Sequence, residues 1–548
     1  MEKMEIKRWW WLLLAVAVIW FGTLEYRKLI KPDEGRYAEI PREMVASGDW
    51  ITPRLNNLKY FEKPPLQYWA TATAYTLLGE HHWTSRLWAA LTGFCGLLLV
   101  WFAGTRLFGR EAGQYAALIL GSSLLYVAIG HINTLDMGVT FFLTLGIVGL
   151  LFSQQERTDP RTRRNWLYGA WVALGLAVLS KGLIGLVLPA AALVIYSISQ
   201  RDLTPWKRLN LVSGLLLCLL VTAPWFILVM KANPEFFERF FIYEHYTRFS
   251  TKELGRYQPW YYFIPILLAG MVPWTILMID TLLRTWKESA SIGKTFNPER
   301  FLLIWAVFIY IFFSISGSKL PSYLLPIFPA LALLMGKRLA EMREQTLRWQ
   351  LAPILLVPLI TLSFVPFTDR FAETPLKAEM FRDYATWVIV AALVLLLGLI
   401  SGMVLLSRRK KSLAVLIVAL SSLIGVQIVV SGHNTVARWR SAYHIAEVIR
   451  PYVKPDIPLY SVGTYEQTLP FYLKRTFTLV DYQNEMAFGI MQEPQRWIPD
   501  IAGFAKVWNS QPAALAIMPV ELYPNLIQQG FAMKIIFEDT QFIVVIKP

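Results

Sequence analysis

The sequence predicts a polytopic α-helical membrane protein with a C-terminal soluble α/β domain. Three observations carry that reading. The 548 residues are 55% hydrophobic and only 17% charged, with a mean hydropathy of +0.42, a composition unlike that of a soluble globular chain. Apolar runs of spanning length recur about thirteen times before residue 435. From residue 435 onward, short β-branched and aromatic runs alternate with polar segments instead.

The apolar runs centre near residues 17, 96, 121, 144, 173, 190, 219, 270, 308, 329, 358, 395 and 421. The first, Trp9 to Tyr26, is long, lacks a small-x-small cleavage site and precedes further spans, so it reads as a membrane helix and not a cleaved leader. The fifth and sixth flank "SKGLIG" (180–185) and are short; a re-entrant pair is the alternative there. Cys95 and Cys218 both lie inside apolar runs and predict no structural disulfide.

Basic residues orient the chain. With Lys3, Lys7 and Arg8 on the cytoplasmic side, the short inside loops carry Arg106 and Arg110, then Arg157, Arg161, Arg163 and Arg164. Arg201, Lys207 and Arg208 follow, then Arg284, Lys287, Lys294 and Arg300, then Lys337, Arg338, Arg343 and Arg348. The last is the run Arg408, Arg409, Lys410 and Lys411. This is the positive-inside pattern. An odd number of spans then puts the C-terminal segment outside. The net charge of +15 follows from topology and calls for no nucleic acid.

The division expected is a membrane domain, 1–434, with long outside loops at 27–83 and 231–258, and an outside α/β domain, 435–548. In the latter, "IPLYSV" (457–462), "TFTLV" (476–480), "AALAIMP" (513–519), "MKIIFED" (533–539) and "QFIVVIK" (541–547) read as strands. "DIAGFAKVWNS" and "VELYPNLIQQG" read as helices between them. This segment shows no Gly-rich phosphate loop and no metal-ligand spacing, and the chain shows no transporter-like internal repeat.

The chemistry gathers at outer helix ends. "KPDEGRYAEIPREM" (31–44) holds seven charged side chains in fourteen positions. It fits an amphipathic helix on the membrane face with Asp33 as N-cap, Tyr37, Ile40 and Met44 on one side and Arg36, Glu39 and Glu43 on a polar side. Pro41 predicts a kink or two short pieces. Asp33 and Glu34, at the end of the first span, can bind a cation or act as a base; a solvated interfacial helix explains the same pattern.

In "YFEKPP" (60–65) the prolines favour an extended turn presenting Lys63, a partner for a lipid phosphate or a snorkelling side chain. "EHYTRF" (244–249) follows Phe236, Phe240 and Tyr243, which read as interfacial anchors. There Arg248 can grip a phosphate or sit in a rim ion pair, and Glu62 with His245 can share a divalent ion. Asp136 opens the fourth span, where an acid is costly unless paired or functional. "GSKLPSYLLP" (317–326) sets Lys319 and Tyr323 at the outer start of the tenth.

At these residues the sequence resembles a known family. "DEGRYAEIPREM", "YFEKPP", "EHYTRF" and "SKLPSYLLP" look like the motifs of bacterial lipid A aminoarabinose transferases, glycosyltransferases of the GT-C fold, and the resemblance extends over the whole chain. It implies transfer of 4-amino-4-deoxy-L-arabinose from undecaprenyl phosphate to a lipid A phosphate. The place implied is the periplasmic face of the inner membrane, and the consequence is resistance to polymyxin and cationic peptides. Under that implication Asp33, Glu34 and Asp136 carry catalytic or counter-ion roles. Tyr37, Tyr60, Lys63, Arg248, Lys319 and Tyr323 bind substrate, with Lys63 and Arg248 on the leaving phosphate. The partners are the lipid-linked donor, lipid A and membrane lipids. No cofactor is required, with a divalent ion at Glu62 and His245 left open. Two rivals remain. An enzyme like the protein O-mannosyltransferases would glycosylate Ser or Thr and need a true base, whereas a transporter or flippase would need paired charges in mid-span.

Overall fold

Each apolar run of the membrane part forms helix. The computed structural model describes residues 2–155, 159–247, 258–288 and 295–548, without the side chains of 2–10 and 245–247. Arg157, Lys294 and Arg248 lie outside the described residues.

By length and composition eight described helices can cross a membrane: His82–Phe108, Asp136–Gln154, Leu211–Ala232, Pro298–Ile315, Pro321–Glu341, Glu344–Phe371, Pro375–Ser407 and Lys411–Arg440. The number is nine if Trp260–Gly270 and Thr275–Glu288 form one span, bent by 115° around "MVPW", where Pro273 interrupts the helical ladder. The other four of the expected runs are helical but fall short of these criteria for visible reasons. The described apolar part of the first is only Trp11–Phe21, and Ile184–Gln200 has 17 residues. The run near 121 is broken into Arg110–Leu120 and Leu124–Ile129 at Gly121. Pro160–Lys181 carries Arg161, Arg163 and Arg164 in its first turns.

The chain clusters into two units. One comprises Met1–Leu24, Lys63–Gln67 and Arg86–Thr435 and holds the spans. The second comprises Glu25–Glu62, Tyr68–Ser85 and Val436–Pro548. It joins the terminal segment to residues that sequence reasoning assigned to the first outside loop.

The core of the second unit is a six-stranded sheet of β3 (Leu459–Val462), β4 (Thr478–Val480), β5 (Trp497–Ile498), β6 (Leu515–Pro519), β7 (Lys534–Glu538) and β8 (Phe542–Ile546), in the order β5-β4-β3-β6-β8-β7. Strands β3 to β6 pair in parallel, and β8 and β7 add antiparallel. The strand alternation separates two cores. Leu459, Leu515, Ile517 and Val544 face Leu29, Ala38 and Tyr75, whereas Tyr460, Ala516, Met518 and Val545 face Phe504, Trp508 and Leu526. All five expected strands form, as do helices Ile501–Ser510 and Tyr523–Gln528. β5 was not expected, because two residues carry no periodic signal.

Residues 25–62 form one helix and one hairpin. The helix runs from Asp33 to Ser47 through Pro41, so of the kink or two short pieces expected there, the break does not occur. The hairpin of β1 (Arg54–Leu55) and β2 (Leu58–Lys59) turns at Asn56 and Asn57, both at positive φ (54° and 63°), as a two-residue type I′ turn demands.

Candidate active site

The opening motif is buried on both of its sides. Every residue from Glu34 to Met44 is shielded from solvent, which corrects the expectation of an interfacial helix with a solvated polar face. Tyr37, Ile40 and Met44 do lie inside, but Arg36, Glu39 and Glu43 lie inside as well, each with a partner. The N-cap is Pro32, with no side-chain cap bond. Asp33 is therefore the first helical residue and not the cap, and its side chain stays 40% exposed.

Each letter of "DEGR" has a distinct physical reason. Glu34 accepts from the Ile30 N–H at 3.2 Å and lies 3.9 Å from Arg27. Gly35 lets the helix approach the terminal segment: a Cβ there would sit 2.7 Å from the Gln467 carbonyl carbon and oxygen, closer than side chains tolerate. Arg36 donates to Glu485 of the terminal segment and, at 3.4 Å, to Asp33. Glu485 also accepts from Gln467 at 2.9 Å. Asp33 is thus the most open member of a chain of charged groups in which Arg36 is buried and Glu485 nearly so.

Aromatic hydroxyls surround this chain. The Arg36 guanidinium lies 5.8 Å from the Tyr60 ring and 6.0 Å from that of Tyr37. Burial pushes both phenols up, Asp33 adding to the shift at Tyr37 and Glu62 at Tyr60, so both remain neutral hydrogen-bond donors. The Arg36 Nε, Tyr60 Oη and Tyr465 Oη atoms are buried with no hydrogen-bond partner among the described residues.

One turn further along, Arg42 grips Glu39 through two bonds of 2.7 and 2.6 Å. Glu43 accepts from the Asn56 and Asn57 N–H groups at 2.6 and 2.7 Å, capping the hairpin turn. Burial and the neighbouring Glu39 carboxyl push Glu43 up to about 8, against these donors and Arg42. Asn56 exchanges two bonds of 2.7 Å with the Phe477 backbone through its side-chain amide.

The remaining candidates belong to the membrane unit and fall into three groups. Lys63 lies 3.8 Å from Glu244, which also pairs with Arg239 at 3.4 Å. Glu244 sits on the π-helix Glu238–Thr247, and Arg239 also stacks 4.2 Å from the Tyr243 ring. Asp136 opens helix Asp136–Gln154 and accepts from Lys181, whose ammonium lies 4.6 Å from the Tyr323 ring. Lys319 stands apart from both: buried, it donates to the Ser316 and Gln258 carbonyls at 2.6 and 2.9 Å and lines a cavity of about 420 Å³ with Tyr310, Ser314 and Trp260.

Arg248 and the His245 side chain lie outside the described residues. Glu62, the other proposed ion ligand, belongs to the second unit. Among the described residues no three His, Cys, Asp or Glu side chains group to hold a metal ion. Sequence reasoning missed Lys181, Glu244 and Glu485 as members of these clusters. Lys181 carried a readable signal, a lone charge between Ser180 and Gly182 in an apolar run; Glu485 carried none.

The apolar spans of one unit, the α/β sheet of the other and the likenesses that follow make the chain a polytopic glycosyltransferase of the GT-C fold. Residues 445–547 match the family model for the aminoarabinose transferase C-terminal domain, and residues 62–228 that for dolichyl-phosphate-mannose-protein mannosyltransferase. The crystal structure of ArnT from Cupriavidus metallidurans bound to undecaprenyl phosphate is similar over 98% of each chain, with 37% identity and a TM-score of 0.93. The undecaprenyl phosphate-alpha-4-amino-4-deoxy-L-arabinose arabinosyl transferase of Aeromonas hydrophila is 35% identical over 66% of this chain and 67% of its own length. The archaeal oligosaccharyltransferase AglB from Archaeoglobus fulgidus shares 13% identity at a TM-score of 0.51, over 94% of this chain and 70% of its own, a likeness of fold alone. The chain belongs to the aminoarabinose transferase family.

Proposed function

We propose that the protein transfers 4-amino-4-deoxy-L-arabinose from undecaprenyl phosphate to a lipid A phosphate, at the periplasmic face of the bacterial inner membrane. The observation that carries this reading is the likeness, over 98% of both chains, to a transferase structure solved with undecaprenyl phosphate.

In the reaction, an oxygen of the acceptor phosphate attacks the sugar C1 as the bond from C1 to the donor phosphate oxygen breaks. The lipid phosphate departs with that electron pair. Lys63 offsets the charge it gains, as fixed cations do at developing anions, and Arg248 is proposed to share that role. Tyr37, Tyr60 and Tyr323 supply neutral hydroxyls, and Lys319 a further cation. Asp33, Glu34 and Asp136 act as counter-ions to the sugar ammonium or position the acceptor. A phosphate acceptor is already ionised near neutral pH, so the reading needs no strong base. It also needs no cofactor; a divalent ion held by Glu62 and His245 would add to the charge offset.

The match of 62–228 to a protein mannosyltransferase model favours one second reading, a Ser or Thr acceptor. Mass spectrometry of lipid A decides between the two. Cells carrying the protein should show aminoarabinose on lipid A, and cells carrying Asp33→Asn at matched protein levels should show a sharp loss. Unmodified lipid A in both overturns the acceptor assignment, and full modification by Asp33→Asn removes Asp33 from the chemistry.

A further inference from the structure

We infer that Glu485, in the terminal segment, is a positioning residue for sugar transfer, holding the Arg36 guanidinium off Asp33 so that the Asp33 carboxylate stays open. The inference rests on the reading that Asp33 meets the donor or acceptor.

Arg36 is shared by two carboxylates and not shared equally. Its Nη2 donates to Glu485, while its Nη1 reaches Asp33 only at 3.4 Å. The second Glu485 oxygen is held by Gln467 at 2.9 Å, so this carboxylate is fixed at both ends. Glu485 and Arg36 are 13% and 8% exposed at the side chain, against 40% for Asp33. An arginine in such surroundings keeps its charge and takes the best carboxylate within reach, bidentately where geometry allows. Without the Glu485 charge, Asp33 becomes the remaining anionic partner in direct contact with Arg36. The guanidinium then closes on it, and a closed pair has less charge and fewer lone pairs to offer a sugar ammonium or an acceptor.

A purely structural tie explains the arrangement less well. The terminal segment is already fastened to residues 25–62 by Lys31 to Glu466 at 2.7 Å, Arg54 to Glu493 at 2.9 Å and the double bond of Asn56 to Phe477. The polar atoms around Arg36 are also left open. Arg36 Nε, Tyr60 Oη and Tyr465 Oη have no hydrogen-bond partner among the described residues.

The test uses the full-length protein in lipid, the undecaprenyl-linked aminoarabinose donor and lipid A, with Glu485→Gln, Glu485→Asp, Asp33→Asn and the double variant Asp33→Asn/Glu485→Gln. Glu485→Gln should lower kcat about tenfold or more while donor KM shifts by about twofold or less, the mark of a group felt in the transition state. Glu485→Asp should recover most of the rate. The double variant should be no slower than Asp33→Asn alone, since a residue acting through Asp33 adds nothing once that charge is gone. Normal kcat in Glu485→Gln beside an inactive Asp33→Asn overturns the inference and leaves the Asp33 reading standing. Full activity in Asp33→Asn overturns both. A Glu485→Gln loss that tracks only a lowered melting temperature and folded fraction makes Glu485 a structural tie and overturns the inference.

Discussion

Asp136 accepts a hydrogen bond from Lys181, whose ammonium also lies 4.6 Å from the centre of the Tyr323 ring. Both charged side chains are largely buried, at the start of one span and the end of another helix. Removing one partner strands the other. Lys181→Met should lower stability by about 1.5–3 kcal/mol, the worth of a hydrogen bond to a charged group. Thermal melting of the purified protein measures it. Asp136→Asn/Lys181→Met should recover part of the loss, because neither charge is then left alone.

Lys63 is set between Glu62 and Pro64 and faces Glu244 at 3.8 Å, too long for a strong bond. The donor phosphate is the partner proposed for this charge during transfer. Lys63→Ala should weaken donor binding by about one to two orders of magnitude, the equivalent of roughly 1.5–3 kcal/mol. Titration of the purified variant with the lipid-linked donor reads this directly, and unchanged affinity removes Lys63 from the phosphate.

Glu43 gives the second unit a pH dependence. Its folded value of about 8 lies above the ordinary 4.5, so the folded state holds the proton more tightly than the unfolded one. The stabilisation is complete below about pH 4.5 and is lost as pH rises through about 8, at no more than about 1.4 kcal/mol per pH unit. Hydrogen-exchange protection across residues 33–62 should therefore fall over that window. Glu43→Gln should flatten the fall and cost about 1–3 kcal/mol, because its amide nitrogen cannot accept from a backbone N–H. An equally steep slope in the variant assigns the titration elsewhere.

The basic loops predict that the chain ends outside the cytoplasm. An alkaline phosphatase fused after Pro548 should be active, because that enzyme matures only where disulfides form. A stable but inactive fusion reverses the orientation.

The sequence made the membrane helices and the five longer terminal strands legible, since each is a periodic or continuous apolar run. It also singled out Asp33, Lys63, Asp136 and Tyr323. The surroundings of the Asp33 helix were another matter. The spacing of Tyr37, Ile40 and Met44 against Arg36, Glu39 and Glu43 is that of a helix with one wet face. The polar face is buried nonetheless, because each charge meets a partner: Glu39 its neighbour Arg42, Glu43 the Asn56–Asn57 turn, and Arg36 a residue 449 positions away. Amphipathic spacing reports polarity and not exposure. A charge matched from so far along the chain leaves no local trace.

The pairing of Asn56 with the Phe477 backbone spans 421 positions, and it bears on how the protein is made. At about 5–20 residues per second, the hairpin leaves the ribosome roughly 20–85 s before the strand that completes it. Throughout that interval its charged helix lacks the terminal segment that supplies Gln467 and Glu485. Nascent chains thus pass through a stage in which the spans are being inserted while the Asp33 segment waits, open to proteases and holdases. A stop codon ahead of β4 would make that stage permanent.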